Sequence, residues 1–106
     1  MGKLSKKQNK FTRAYPLLML YAQYLGYELS DGDAYRDPRC KYGNPKSNHR
    51  NRLARDFNIF KDGVYLIGKE AIIAHNKLHD FWDMLGGSKR IKRDLNHYSF
   101  LHNGVR

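Results

Sequence analysis

The sequence predicts an α+β fold: a small antiparallel sheet with two main helices packed on it, in a single domain. Three observations carry this. Apolar residues recur at helical spacing in two separated segments, residues 12–25 and 69–85. Residues 53–60 alternate in polarity and run through Lys61-Asp62-Gly63 into a second apolar stretch, the pattern of a hairpin. The order helix, short strands, loop, hairpin, helix, strand is that of an antiparallel sheet with helices on it. At 106 residues the chain is long enough for one domain and too short for two. A hydrophobic fraction of 41%, with 13% aromatics, argues for a folded core rather than disorder.

Taken in order, residues 1–10 read as a flexible basic arm and 11–106 as the folded domain. In 12–25 the positions Ala14, Leu17, Leu18, Tyr21 and Leu25 share a helix face, Gly26 is the stop, and Pro16 belongs in the first turn, where its missing N–H does no harm. "YELSDGDAYRDP" alternates loosely and breaks at Asp31-Gly32, so a short strand or strand pair is expected. Pro38, Gly43 and Pro45 punctuate a loop. Gly63 supplies the positive-φ position of the hairpin turn. In 69–85 Ile72, Ala74, Leu78, Phe81, Trp82 and Leu85 form an apolar stripe that Gly86-Gly87 ends. The tail reads as a strand over 95–101 with a turn at Asn103-Gly104.

Composition narrows the function. Cys40 is the only cysteine, which excludes a disulfide-built scaffold. The apolar run 17–21 is too short for a signal peptide, and no segment approaches the ~20 apolar residues of a membrane span. The chain is therefore expected to be made in a cytoplasm without an export signal of its own. The net charge of +10 is uneven: Lys3, Lys6, Lys7, Lys10 and Arg13 cluster without an acid, residues 36–55 hold seven cations against Asp37, and Lys89, Arg90, Lys92 and Arg93 form a third group. Such a field attracts polyanions: nucleic acid, acidic lipid or the anionic polymers of a bacterial envelope.

Five histidines remain to be sorted. His75 and His79 share a helix face, but Asn76 stands where a zincin helix carries glutamate, and both flank the apolar stripe, so they read as structural. His102 has no evident partner. His49 and His97 each have an acid at a definite spacing: Asp56 follows His49 by seven, and Asp94 precedes His97 by three. Two imidazoles and one carboxylate make a hydrolytic zinc set, and a further carboxylate can take a proton from the attacking water. His49 and Asp56 have opposite strand parity, so His49 must precede the strand, and Asp94 and His97 need a turn or bulge between them.

"SNHRNRLARDFNIFKDGVYL" resembles the Ser-x-His-x6-Asp block of the zinc D-alanyl-D-alanine carboxypeptidase family, which includes vancomycin-resistance D,D-dipeptidases and phage L-alanyl-D-glutamate endolysins. "FWDMLGG" followed by "DLNHYSF" is similar to its second block, and "LGYELSDGDAYRDP" to the segment with a substrate-binding arginine. The resemblance spans residues 11–100. It implies Zn2+ held by His49, Asp56 and His97, with Asp94 as general base for the attacking water and proton donor to the leaving amine. It also implies that Arg36 holds substrate carboxylate or polarises the carbonyl, and that Ser47 hydrogen-bonds substrate. Three departures stand out: Arg55 beside Asp56, Met84-Leu85 where a tryptophan is expected ahead of the glycine pair, and a short loop over 37–46. Strand neighbours point to opposite faces, which would keep Arg55 away from the site.

Short, signal-free, strongly basic members of this family look like phage endolysins. The expected function is thus a monomeric L-alanyl-D-glutamate endopeptidase that accumulates in the host cytoplasm and is released to peptidoglycan, drawn to the anionic cell envelope by its basic surface. A D-alanyl-D-alanine carboxypeptidase is the nearest alternative. A basic nucleic-acid-binding protein or small nuclease is the alternative of another class; it has the charge and the tyrosines in its favour, and against it the expectation that no helix bears a basic stripe.

Overall fold

A computed structural model of the chain describes residues 2–32 and 53–102. In these, two helices pack on a four-stranded antiparallel sheet, which is the α+β architecture expected. Arg36, Ser47 and His49, the 37–46 loop and the turn at Asn103-Gly104 lie outside the described residues.

Helix α1 runs over Lys3–Tyr24, so the segment expected as a flexible arm supplies its first two turns instead. The local reason is composition: leucine, lysine and glutamine favour a helix, no glycine or proline interrupts residues 3–15, and Leu4 packs against the core. Pro16 consequently sits in mid-helix rather than in the first turn, and the carbonyl of Thr12 loses its i+4 donor. Phe11, Ala14, Leu18 and Ala22 hold both halves of the helix on the core. Gly26, at φ +89°, ends it as expected, with the Tyr27 N–H donating to the Ala22 carbonyl at 2.9 Å. A helix that starts at Lys3 also aligns Lys3, Lys6, Lys7, Lys10 and Arg13 at spacings of three and four. The expectation that no helix carries a basic stripe is therefore overturned.

The sheet is built around β2 (Ala54–Lys61), which pairs with β1 (Glu28–Asp31) along one edge and with β3 (Val64–Tyr65) and β4 (His97–Ser99) on the other. The β2–β3 hairpin turns at Asp62 (φ +52°) and Gly63 (φ +78°), two consecutive left-handed residues that match the twist of the strands. Leu53, Phe57 and Ile59 point inward, and with Leu18, Leu78, Trp82 and Tyr98 they form the fully buried core. Helix α2 (Gly68–Met84) lies across α1, with the rings of Tyr21 and Phe81 stacked 4.3 Å apart. Its end is fixed by Trp82. The indole Nε1–H donates to the Ser99 carbonyl at 3.0 Å, and a Cβ on Gly87 would collide with the ring, so only glycine fits there. This junction ties the end of α2 to β4.

Candidate metal and catalytic site

The antiparallel register sets Asp56 of β2 directly opposite His97 of β4. Directly paired residues project from the same face, and this one is opposite to that of Phe57 and Tyr98. Both side chains are buried, and His97 Nδ1 lies 3.2 Å from Asp56 Oδ1. Gly32, just after β1, closes in from the other edge. Its N–H donates to the Asp56 carbonyl at 2.7 Å, and a Cβ there would stand 3.2 Å from that of Asp56. The close approach of Gly32 is not legible in the sequence, where it reads only as a turn residue.

Asp94 enters through the backbone. Its N–H donates to the Ile91 carbonyl at 2.9 Å, and the His97 N–H donates to the Asp94 carbonyl at 3.1 Å. Two successive turns thus fill the three-residue gap, as the spacing required. The Asp94 side chain is exposed and lines a cleft of about 330 Å3 together with His75, Asn58 and Asn96. Among the described residues its carboxylate makes no hydrogen bond or ion pair with Asp56 or His97.

Arg55 is turned away, as strand parity demands. Its guanidinium donates to both carboxylate oxygens of Asp31 at 2.9 Å and lies 4.4 Å over the Tyr15 ring, on the helix side of the sheet. His102 is met by Lys7, whose Nζ is 3.2 Å from its Nδ1.

His75 and His79 belong to the core. His75 Nδ1 shares a 2.7 Å hydrogen bond with the Tyr98 hydroxyl, and His79 stacks on the Tyr98 ring at 4.1 Å. His79 Nε2–H donates to the Leu95 carbonyl at 2.7 Å; since a carbonyl only accepts, the proton sits on Nε2, and among the described residues the buried Nδ1 has no partner. Burial lowers His75 to about 4, helped by the neighbouring His79. Burial likewise lowers His79 to about 4, against the opposing bond to Leu95. The Tyr98 hydroxyl is pushed up by burial. Two neutral imidazoles therefore clamp Tyr98 and Leu95, the residues flanking the turn and strand that carry His97. Tyr98 is a positioning residue that sequence reasoning missed; the aromatic one place after a candidate ligand is the signal that could have found it.

The donor chemistry of Asp56 and His97 fits zinc. Two ligands ~2.0–2.1 Å from a tetrahedral ion stand ~3.3 Å apart, close to the separation seen here. Among the described residues no group of three or more His, Cys, Asp or Glu is arranged to hold a metal; the third expected ligand, His49, lies outside them. No known family model matches the chain, and no curated protein matches it in sequence.

Proposed function

We propose that this protein is a zinc-dependent peptidase of bacterial peptidoglycan, and within that class an L-alanyl-D-glutamate endopeptidase of the phage endolysin kind. The observation that carries the reading is the buried Asp56–His97 pair at 3.2 Å, made by two residues far apart in sequence that the family motif also matches. His49 would complete the ligand set. When bound, zinc would supply Lewis acidity toward the scissile carbonyl and make an attacking water easier to deprotonate. Asp94 would accept that water's proton as its oxygen bonds to the carbonyl carbon. It would then pass the proton to the nitrogen as the C–N bond breaks, leaving a carboxylate and an amine. Arg36 would hold a substrate carboxylate as a bidentate donor, and Ser47 would hydrogen-bond the substrate backbone.

The test is digestion of purified peptidoglycan with and without a chelator, with fragments identified by mass spectrometry. Chelator-sensitive release of stem peptides that begin at D-glutamate is expected. Release of terminal D-alanine alone would instead favour a D-alanyl-D-alanine carboxypeptidase. No cleavage by a folded, zinc-loaded protein would overturn the peptidase reading. The α1 stripe favours a second reading, a nucleic-acid-binding protein, which would be unaffected by Asp94→Asn.

A further inference from the structure

The cations of α1 do not stand alone. At ~100° per residue, the flank carrying Lys3, Lys6, Lys10 and Arg13 continues through Leu17, Leu20 and Tyr24. These last three are exposed apolar side chains, Leu20 at 61% and Tyr24 at 85%. One side of the helix thus reads cationic for its first half and apolar for its second. The opposite flank, with Ser5, Gln8, Asn9, Thr12 and Gln23, carries no charge, and its apolar Met19 is partly buried against the core. Beside the stripe runs a groove of about 500 Å3, with Lys7, Lys10, Arg13 and Leu17 on one wall and Phe100 and Leu101 on the other. Leu101 is a further exposed apolar side chain on that groove.

Among the described residues no carboxylate pairs with any of the five α1 cations. The first turn holds no acid, and Gly2 offers no side-chain cap. Lys3 and Lys6 therefore sit at the positive end of the helix dipole, an arrangement that an external anion relieves. A polyphosphate chain would satisfy the cations but leave Leu17, Leu20, Tyr24 and Leu101 in water. A surface with anionic headgroups above an apolar layer satisfies both halves of the stripe.

We infer that the α1 flank is a docking surface for an anionic lipid bilayer, with Lys3, Lys6, Lys10 and Arg13 on the headgroup phosphates and Leu17, Leu20 and Tyr24 entering the interface. This inference is independent of the zinc reading. No helix among the described residues is long and apolar enough to cross a membrane, so the contact would be peripheral.

Co-sedimentation of the full chain with vesicles of phosphatidylcholine, with or without one third phosphatidylglycerol, tests it. Binding to the anionic vesicles is expected, with little to the neutral ones. Replacing Lys3, Lys6, Lys10 and Arg13 by Gln should weaken it on the order of a hundredfold, and Leu17→Ser with Leu20→Ser roughly tenfold. Both sets are exposed, so far-UV circular dichroism should show intact helix; Leu20→Gln alone serves if the double variant loses helix. Equal binding to both vesicle types would overturn the proposal. So would an anionic-vesicle affinity unchanged by the leucine substitutions. Binding to single-stranded DNA as tight as to vesicles, and indifferent to those substitutions, would overturn it in favour of a nucleic-acid surface.

Discussion

Two histidine pairings lie on either side of one short strand, and they invert what spacing alone suggests. His75 and His79, four apart on a helix, look like a ready-made metal pair. Asp56 and His97 are 41 residues apart in sequence and look like nothing until β2 meets β4. Yet each member of the helical pair spends one ring nitrogen, on Tyr98 and on Leu95, and His79 stacks in the core, whereas the distant pair meets nitrogen to carboxylate oxygen at 3.2 Å. Adjacent residues of β4 face opposite ways, so Tyr98 is gripped from one side while His97 is presented on the other. The strand that carries the candidate ligand is braced by the pair that only looks like one. Metal chemistry and fold stability should therefore separate cleanly between the two pairings.

The largest expected effect lies on the Asp56–His97 side. His97→Ala should remove zinc, read by elemental analysis of the purified protein, and with it peptidoglycan hydrolysis to below detection. Asp94→Asn should keep zinc and lower kcat by ~10²–10⁴, the usual contribution of a general base. A His97→Ala protein that still binds one zinc would break the comparison at its root. Loss of zinc from Asp94→Asn would move Asp94 from base to ligand.

On the brace side, stability should move and metal content should not. His79→Ala leaves a cavity under Tyr98 and an orphaned Leu95 carbonyl, at a cost of ~2–4 kcal/mol in urea unfolding. Zinc stoichiometry should stay unchanged wherever the fold persists. A pH series sharpens the point. Both imidazoles are lowered from 6.5 to about 4, so between those values the unfolded chain binds more protons than the folded one. Stability should accordingly be full above about pH 6.5, fall as the pH drops toward 4 and level off below, by on the order of 2–5 kcal/mol for the two groups. An unfolding free energy that is flat from pH 7 to about 4.5 would mean that neither imidazole must charge on unfolding.

How far the molecule is legible in its sequence varies with the range of the interaction. The hairpin at Asp62-Gly63 and the end of α2 at Gly86-Gly87 are local, and composition reveals them. The turn between Asp94 and His97 follows from strand parity alone. The start of α1 is hidden because a proline such as Pro16 usually marks a first turn. Leu4 and Phe11 are anchored on the core, which lets the helix run through a residue that would usually end it. That one displacement also conceals the basic stripe. The pairing of Asp56 with His97 can be matched to a motif, but no local signal predicts it, since nothing nearby in the chain sets the register of strands so far apart. The Tyr98 clamp and the Gly32 approach to Asp56 are likewise products of packing alone.

The smallest expected effect tests the partition of β2 itself. Arg55 is next to Asp56 in the chain and is the sequence's most conspicuous departure at the site, yet it is spent on Asp31 and Tyr15 across the sheet. Both partners of that ion pair are partly solvated, with side chains 29% and 50% exposed, so solvent screens it. Arg55→Ala should cost only ~0.5–1 kcal/mol, the cation–π contact included, and leave zinc affinity within a few-fold of the parent. Isothermal titration of the apo-protein with zinc, beside a urea melt, reads both. A tenfold or larger change in zinc affinity would mean that Arg55 reaches the Asp56 face. The alternation that separates candidate ligand from brace would then fail at the strand on which both depend.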